Sequence, residues 1–248
     1  MRRALVLTVL TCATAAAQPG PPEASWGADR LAAVLKSGDT AAAVEAAKAL
    51  AELTDSAVAF TALTAAVENG KLAPAARAAA IEALVRYGDA RAAESFLRVL
   101  GEEEVRWAAA DALLHFKSGA VTSRLITIVR GDKKAKRRAT AAYSLGRFRE
   151  PEGFAPLREA LDDDKAEVRI RACAALAAYD DRRAVEPLIR NVETDKDRLA
   201  RRAAVEALAR VPDERSVRPL AAALHDKEAE VRAAAAESLA AIGDVRAI

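Results

Sequence analysis

Histidine is nearly missing from this chain. Only His115 and His225 occur, far apart and without an HExxH or other metal-ligand spacing, so the common zinc sites are excluded. There is no Gly-rich phosphate loop and no GxSxG nucleophile turn. The sequence therefore assigns no catalytic residue, no metal ligand and no cofactor. Cysteine is scarce too, with Cys12 and Cys173 the only two. Aromatic residues make up 4% of the chain, which rules out a thick aromatic core and suits a thin interior. An excess of one charge is also lacking: 38 Lys and Arg face 36 Asp and Glu, a formal +2. A general nucleic-acid binder carries a marked basic excess, so no nucleic-acid partner is expected. Beyond the first residues no apolar run is long enough to form an integral membrane span.

What is abundant is alanine, and it recurs at a fixed step. Residues with hydrophobic side chains make up 52% of the chain, most of them Ala. The stretch Leu161–Val192 holds an acidic turn, an Ala-rich helix, a second turn at Asp180-Asp181 and the start of another apolar helix. An Arg with a Leu seven residues later marks each copy: Arg138 and Leu145, Arg169 and Leu176, Arg201 and Leu208, Arg232 and Leu239, at steps of 31, 32 and 31. Upstream, Arg106 and Leu113 lie 32 earlier, and Arg77 and Leu84 lie 29 before those. An Asp stands six residues ahead of the Arg at Asp132, Asp163, Asp195 and Asp226. Self-similarity of this period is the signature of a solenoid.

Within each repeat the second helix shows a period near 3.6. Val168, Ala172, Leu176 and Tyr179 share a face, as do Val231, Ala235, Leu239 and Ile242. The first helix has its own stripe: Phe154, Leu157 and Leu161, then Val185, Leu188 and Val192, then Val217, Leu220 and Leu224. One repeat cannot cover both stripes, so each must stack on the next. The expected fold is all-α, an α-solenoid of about seven helix pairs. A degenerate first repeat spans Trp26–Asp55, where Ala43 replaces the Arg. Others follow at about Ser56–Asp89, Ala90–Gly119, Ala120–Glu150, Pro151–Asp181, Arg182–Asp213 and Glu214–Asp244. Pro156, Pro187 and Pro219 fall near the starts of first helices, where a missing N–H matters least. The third repeat is short, because Leu100-Gly101-Glu102 stands where the Asp turn belongs.

The phrases AEVRIRACAALAAYDDRRAVEPL (166–188) and AEVRAAAAESLAAIGD (229–244) resemble the short HEAT repeats named after phycobilisome lyase subunits. That resemblance implies a right-handed superhelix whose second helices line the concave surface. It is unspecific for function, since such repeats serve scaffolds, lyases and hydroxylases alike. The His-Glu pairs of metal-dependent hydroxylases with this architecture do not occur here, and lyase activity is implied by the family name alone.

Met1–Ala17, MRRALVLTVLTCATAAA, reads as a secretory signal peptide: two Arg, a short apolar run, and Ala15 and Ala17 at the −3 and −1 positions. Export to the periplasm or out of the cell follows. A lipid on Cys12 fits less well, because Thr11 precedes it and the apolar run is short. Losing Arg2 and Arg3 would leave 36 basic against 36 acidic residues. Only Cys173 would then remain, and its place in the helix suggests a buried small hydrophobe. Residues 18–25, QPGPPEAS, read as a Pro-rich linker, and 26–248 as the solenoid. Asp244-Val245-Arg246-Ala247-Ile248 matches the opening of a further repeat, so truncation at the C-terminus is expected.

Two sets of residues stand out. The markers Asp132, Arg138, Asp163, Arg169, Asp195, Arg201, Asp226 and Arg232 read as a structural ladder. Each Asp is expected to cap the helix after it, and each Arg to pair with an Asp of its own or an adjacent repeat. The second set lies one, five and nine residues after the Arg, on a face opposite the core stripe that the resemblance makes the concave surface. There Glu82 with Arg86, Asp111 with His115 and Glu206 with Arg210 have the spacing of self-satisfying pairs. Trp107, Tyr143 and Ile170 break the Ala-or-charge pattern and suggest anchors for a protein or peptide partner, oriented by Asp111 and Arg147. Trp107 has a second reading, filling the gap of the short third repeat. The basic run GDKKAKRR (131–138) reads either as a solvated edge or as contact with an acidic partner or anionic lipid through Lys133, Lys134, Lys136 and Arg137. Two functions remain open: a non-catalytic exported scaffold or adaptor, and a lyase-like or substrate-presenting repeat region of a larger enzyme.

Overall fold

The computed structural model describes residues 27–36 and 38–243. The export segment with Cys12, the Pro-rich linker and the expected truncation at 244–248 lie outside those residues. The described residues form fourteen α-helices and no strand. They fall into two compact bodies, one ending at Phe116 and one starting at Lys117.

The N-terminal body holds three helix pairs: α1 (Ala28–Leu35) with α2 (Thr40–Ala51), α3 (Ala57–Glu68) with α4 (Pro74–Tyr87), and α5 (Ala92–Val99) with α6 (Arg106–Ala112). The last helix tightens into a 3-10 turn at Leu113–Phe116, so the short third repeat has a short second helix. The C-terminal body holds four: α7 (Gly119–Gly131) with α8 (Ala135–Phe148), α9 (Phe154–Glu159) with α10 (Ala166–Ala178), α11 (Val185–Thr194) with α12 (Arg198–Arg210), and α13 (Glu214–Ala223) with α14 (Ala229–Ile242).

Local chemistry sets the ends. Asp39, Ser56, Ser118, Asp197 and Asp213 accept backbone N–H groups at the starts of α2, α3, α7, α12 and α13. Pro74 occupies the first turn of α4, where its missing N–H leaves nothing unpaired. Pro156 and Pro187 likewise stand in the first turns of α9 and α11, each just after a 3-10 turn. Pro219 differs: the Asp213 cap starts α13 earlier, so this proline lies inside the helix. Eleven residues after the marker Arg the chain turns left-handed, at Gly88, Arg149, Asp180 and Gly243.

Within each body the helices form two layers. In the C-terminal body α8, α10, α12 and α14 pack in succession, while α7 lies against α9 and α11 against α13. In the N-terminal body α2, α4 and α6 make one layer and α1, α3 and α5 the other. The apolar stripes face inward: Val168, Ala172, Leu176, Val231, Ala235 and Leu239 are buried, as are Phe154, Leu157, Leu161, Val185, Leu188 and Val192. Val217 and Leu224 of α13 are only half-buried. Burying one Leu or Val of this kind contributes about 1.5–3 kcal/mol. Cys173 is fully buried among them, and burial pushes its thiol up to about 12, so it packs as a small hydrophobe.

Small residues let the second helices come close. A Cβ added at Gly146 of α8 would lie 2.7 Å from both Cα and Cβ of Ala175 in α10. The aromatics serve as wedges. Phe60 meets Tyr87, Phe96 meets Phe116 and Phe154 meets Tyr179 across the two helices of one repeat, at 5.6–5.8 Å between ring centres. The Tyr87 hydroxyl donates to the Ser56 carbonyl at the start of its own repeat. That of Tyr179 donates to the carbonyls of Leu145 and Glu150 in the repeat before.

Candidate functional site

The ladder residues meet across repeats. Arg138 donates to both carboxylate oxygens of Asp163 at 2.7 Å, and Arg169 does the same to Asp195. Arg201 holds Asp226 at 2.7 and 2.9 Å. Each Arg also braces its own turn, donating to the carbonyl six residues back: Arg138 to Asp132, Arg169 to Asp163, Arg201 to Asp195 and Arg232 to Asp226. One guanidinium thus ties two repeats, and planar forked donors suit that geometry. Asp132 pairs with Arg137 at 2.7 Å. The expected helix capping by the aspartates is not what forms. Each Asp instead accepts the N–H two residues on, at Lys134, Lys165, Asp197 and Glu228, closing an Asx turn ahead of the helix. The cap position itself belongs to the residue two places later.

The acid of this motif is not fixed in kind. In the short third repeat Glu102 takes the Asp role and receives Arg77, whose side chain is buried and also donates to the Val67 carbonyl. Burial pushes the Asp195 carboxyl up, but the Arg169 hydrogen bonds and the Asp197 N–H outweigh it and hold it below the ordinary range. The Arg201 guanidinium holds Asp226 down in the same way.

Two further sets of contacts escaped the sequence reading. The first is a clasp between repeats, Asp-x-Arg. Arg91 donates to both oxygens of Asp89 and lies 4.7 Å from the Phe60 ring centre; Arg183 does the same with Asp181 and Phe154. Asp213 with Arg215 repeats the ion pair. The second is an outer rung on the first-helix layer: Arg98 to Glu68, Arg130 to Glu159 and Arg215 to Glu186. Their spacing of 29–30 residues, near the repeat period, was the signal available in the sequence.

The predicted binding residues divide between the bodies. In the N-terminal body Trp107 is half-buried on α6, with the Arg106 guanidinium 4.6 Å from its ring centre, and Asp111 is exposed. In the C-terminal body Tyr143 and Ile170 are half-buried on α8 and α10, and Arg147 is exposed. Arg147 donates to the Tyr143 hydroxyl at 2.7 Å and lies 5.7 Å from its ring centre. Sequence reasoning missed Leu199 on α12, which is 43% exposed. Ala139, placed on the same outward row, is instead fully buried. The pair expected between Glu206 and Arg210 is replaced by Glu206 with Arg202 one turn earlier, at 2.6 Å. In the basic run Lys133, Lys134 and Lys136 are exposed, while Arg137 is engaged with Asp132.

No group of three or more His, Cys, Asp or Glu among the described residues is placed to hold a metal ion. Nor is any of their helices long and apolar enough to cross a membrane.

Stacked helical hairpins tied by a repeating Arg–Asp rung define an α-solenoid. The family of HEAT repeats matches residues 71–145, 122–209 and 192–248, and the chain belongs to it. Among solved structures the fold is similar to the karyopherin Kap121p bound to the extreme C-terminus of the protein phosphatase Cdc14p. There the TM-score is 0.71 at 16% identity, over 87% of this chain and 29% of that one. It is also similar to an engineered protein, with a TM-score of 0.50, 21% identity, and 87% and 96% of the two chains. The complex of CpcE and CpcF of phycocyanin lyase from a Nostoc species gives 0.43 at 20% identity, over 90% and 91%. These identities show the fold alone. No curated protein sequence matches the chain.

Proposed function

We propose that this chain is a non-catalytic adaptor, exported to the periplasm or secreted, that binds a protein or peptide on the outward face of its second helices. The observation that carries the reading is the side-chain set on that face in the C-terminal body. Tyr143, Ile170 and Leu199 project partly exposed apolar surface where the neighbouring repeats place Ala or charge. Tyrosine and arginine are enriched in binding hot spots, and exposed apolar patches rimmed by polar residues mark interaction sites. The karyopherin with a similar fold is seen bound to the C-terminus of another protein, and that mode of use is brought here as part of the proposal. Trp107 and Asp111 are a separate candidate surface on the N-terminal body.

The test is co-purification from the native host, using the wild type and two variants. Tyr143→Ala with Ile170→Ala probes the C-terminal body, and Trp107→Ala the N-terminal one. The expected result is a specific protein retained by the wild type and lost by the first variant, with helicity unchanged by circular dichroism. Retention of the same protein by both folded variants removes these residues from the binding surface.

A further inference from the structure

We propose that the outward face of α8, α10 and α12 receives an extended acidic peptide segment carrying apolar side chains about three residues apart. The inference rests on the protein-binding role above and names the chemistry of the partner.

The apolar residues fall one to a helix. Tyr143 is on α8, Ile170 on α10 and Leu199 on α12, and these helices pack in succession. The rungs Arg138–Asp163 and Arg169–Asp195 fix the register between them. Neighbouring packed helices lie about 8–10 Å apart. A chain in the polyproline II conformation rises about 3.1 Å per residue with about three residues per turn, so it crosses one helix in roughly three residues and shows every third side chain on the same side. Side chains at that interval would meet Tyr143, Ile170 and Leu199 in turn. Ala174 and Ala178 lie on the same face of α10, and their small side chains leave room for a backbone to approach.

The charge around the stripe is one-sided. The exposed charged residues on this face of the three helices are Lys136, Arg147, Arg198, Arg202 and Arg210 against Glu206. Glu167 and Arg171, half-buried on α10, balance each other. From α14, Glu230 reaches Arg198 at 3.2 Å, and Arg202 pairs with Glu206 at 2.6 Å. Both pairs are exposed on each side, and such pairs are weak enough to exchange for a competing carboxylate. On α14 the corresponding face carries Glu230, Ala233 and Glu237, with neither a large apolar group nor a net positive charge. The stripe and the positive field therefore end together. A peptide rich in Asp and Glu complements the field, and its apolar side chains complement the stripe.

The experiment uses the full chain and fluorescence anisotropy. The probe is a labelled peptide of about twelve residues, Glu and Asp with Leu at every third position. Three controls accompany it: the same peptide with Lys for each acid, the same with Ser for each Leu, and a single-stranded DNA of similar length. The acidic Leu peptide is expected to bind, at least 10-fold tighter than either peptide control. Arg147→Glu with Arg202→Glu should weaken it at least 10-fold, and Leu199→Ser at least 5-fold, with helicity retained. Equal binding of the Lys peptide, or unchanged binding by the folded double variant, overturns the proposal. DNA binding that needs the arginines but ignores Leu199→Ser also overturns it, in favour of a general polyanion site. A host protein that needs Tyr143 and Ile170 while the acidic peptide fails to bind rejects the acidic partner and leaves the adaptor reading standing. Failure of both assays removes the two together.

Discussion

Arg169 grips both carboxylate oxygens of Asp195 in the following repeat, at 2.7 Å each, while another of its nitrogens holds the carbonyl of Asp163 in its own turn. Both side chains are largely enclosed, with 16% and 4% of their surface exposed. Removing one partner strands the other in a poorly solvated layer. Arg169→Ala should therefore lower unfolding stability by about 3 kcal/mol, and Arg169→Lys should recover little, because an ammonium cannot fork. Arg198→Ala, at an exposed pair, should change it by less than about 1 kcal/mol. Urea titrations followed by circular dichroism separate the cases, and equal losses would refute an enclosed rung.

Gly146 and Gly131 should respond in opposite directions to alanine. At Gly146 the new methyl runs into the backbone of Ala175, and the packed layer must shift. A net loss of about 1–3 kcal/mol is expected despite the better helix propensity. At Gly131, in the last turn of α7, a Cβ meets nothing within 4 Å. Gly131→Ala should gain about 0.4–1 kcal/mol. Melting temperatures of the two variants, compared with wild type, check both signs.

Arg149 is an exposed non-glycine residue held at φ 55 after α8, where two other repeats use glycine. Left-handed backbone costs an L-residue roughly 1–2 kcal/mol, and glycine recovers part of that at the expense of a freer unfolded chain. Arg149→Gly should raise stability by about 0.5–1 kcal/mol. A lower melting temperature would show that the arginine side chain contributes more than its backbone costs.

Acid should loosen the stack before base does. Hydrogen bonds from Arg215 hold the Asp213 carboxyl down at about 2, and those from Arg201 hold Asp226 below its usual range. An unfolded Asp titrates near about 3.9. Folded values below that mean these carboxylates contribute stability above about pH 4. The contribution fades as pH falls toward about 2. Thermal melts from pH 7 down to 2 should be flat at first and fall steeply below about pH 4. Asp213→Asn should soften the fall, and an unchanged slope would sever this group from the effect.

The repeat was legible because its chemistry is periodic at two scales. Val168, Ala172 and Leu176 report the helix period, and Asp163, Arg169, Asp195 and Arg201 report the step between hairpins. What periodicity hides is which neighbour a side chain chooses. The aspartates close turns two residues long and leave the caps to later residues, a difference of local geometry that spacing does not encode. Glu102 serves for an Asp because one more methylene still lets its carboxylate reach Arg77. Phase predicts that Ala139 points outward, yet it is buried, since burial depends on what packs over a position as well as on its angle. Leu199 was passed over because it lies two residues before the marker Arg, outside the rows one, five and nine after it. The binding role of Tyr143 and Ile170 is a matter of partner chemistry, on which a single chain's pattern is silent.

Arg77, Arg138, Arg169 and Arg201 each reach forward to the acid of the next turn, so the rung has a direction. A duplicated segment of one full period would arrive with the donor and the acceptor its new neighbours require. In-frame gain or loss of whole hairpins by unequal recombination would therefore leave every junction chemically familiar. An insertion of another length would part a guanidinium from its carboxylate. The gene for such a chain can change the reach of its product in steps of about thirty codons without designing a new contact.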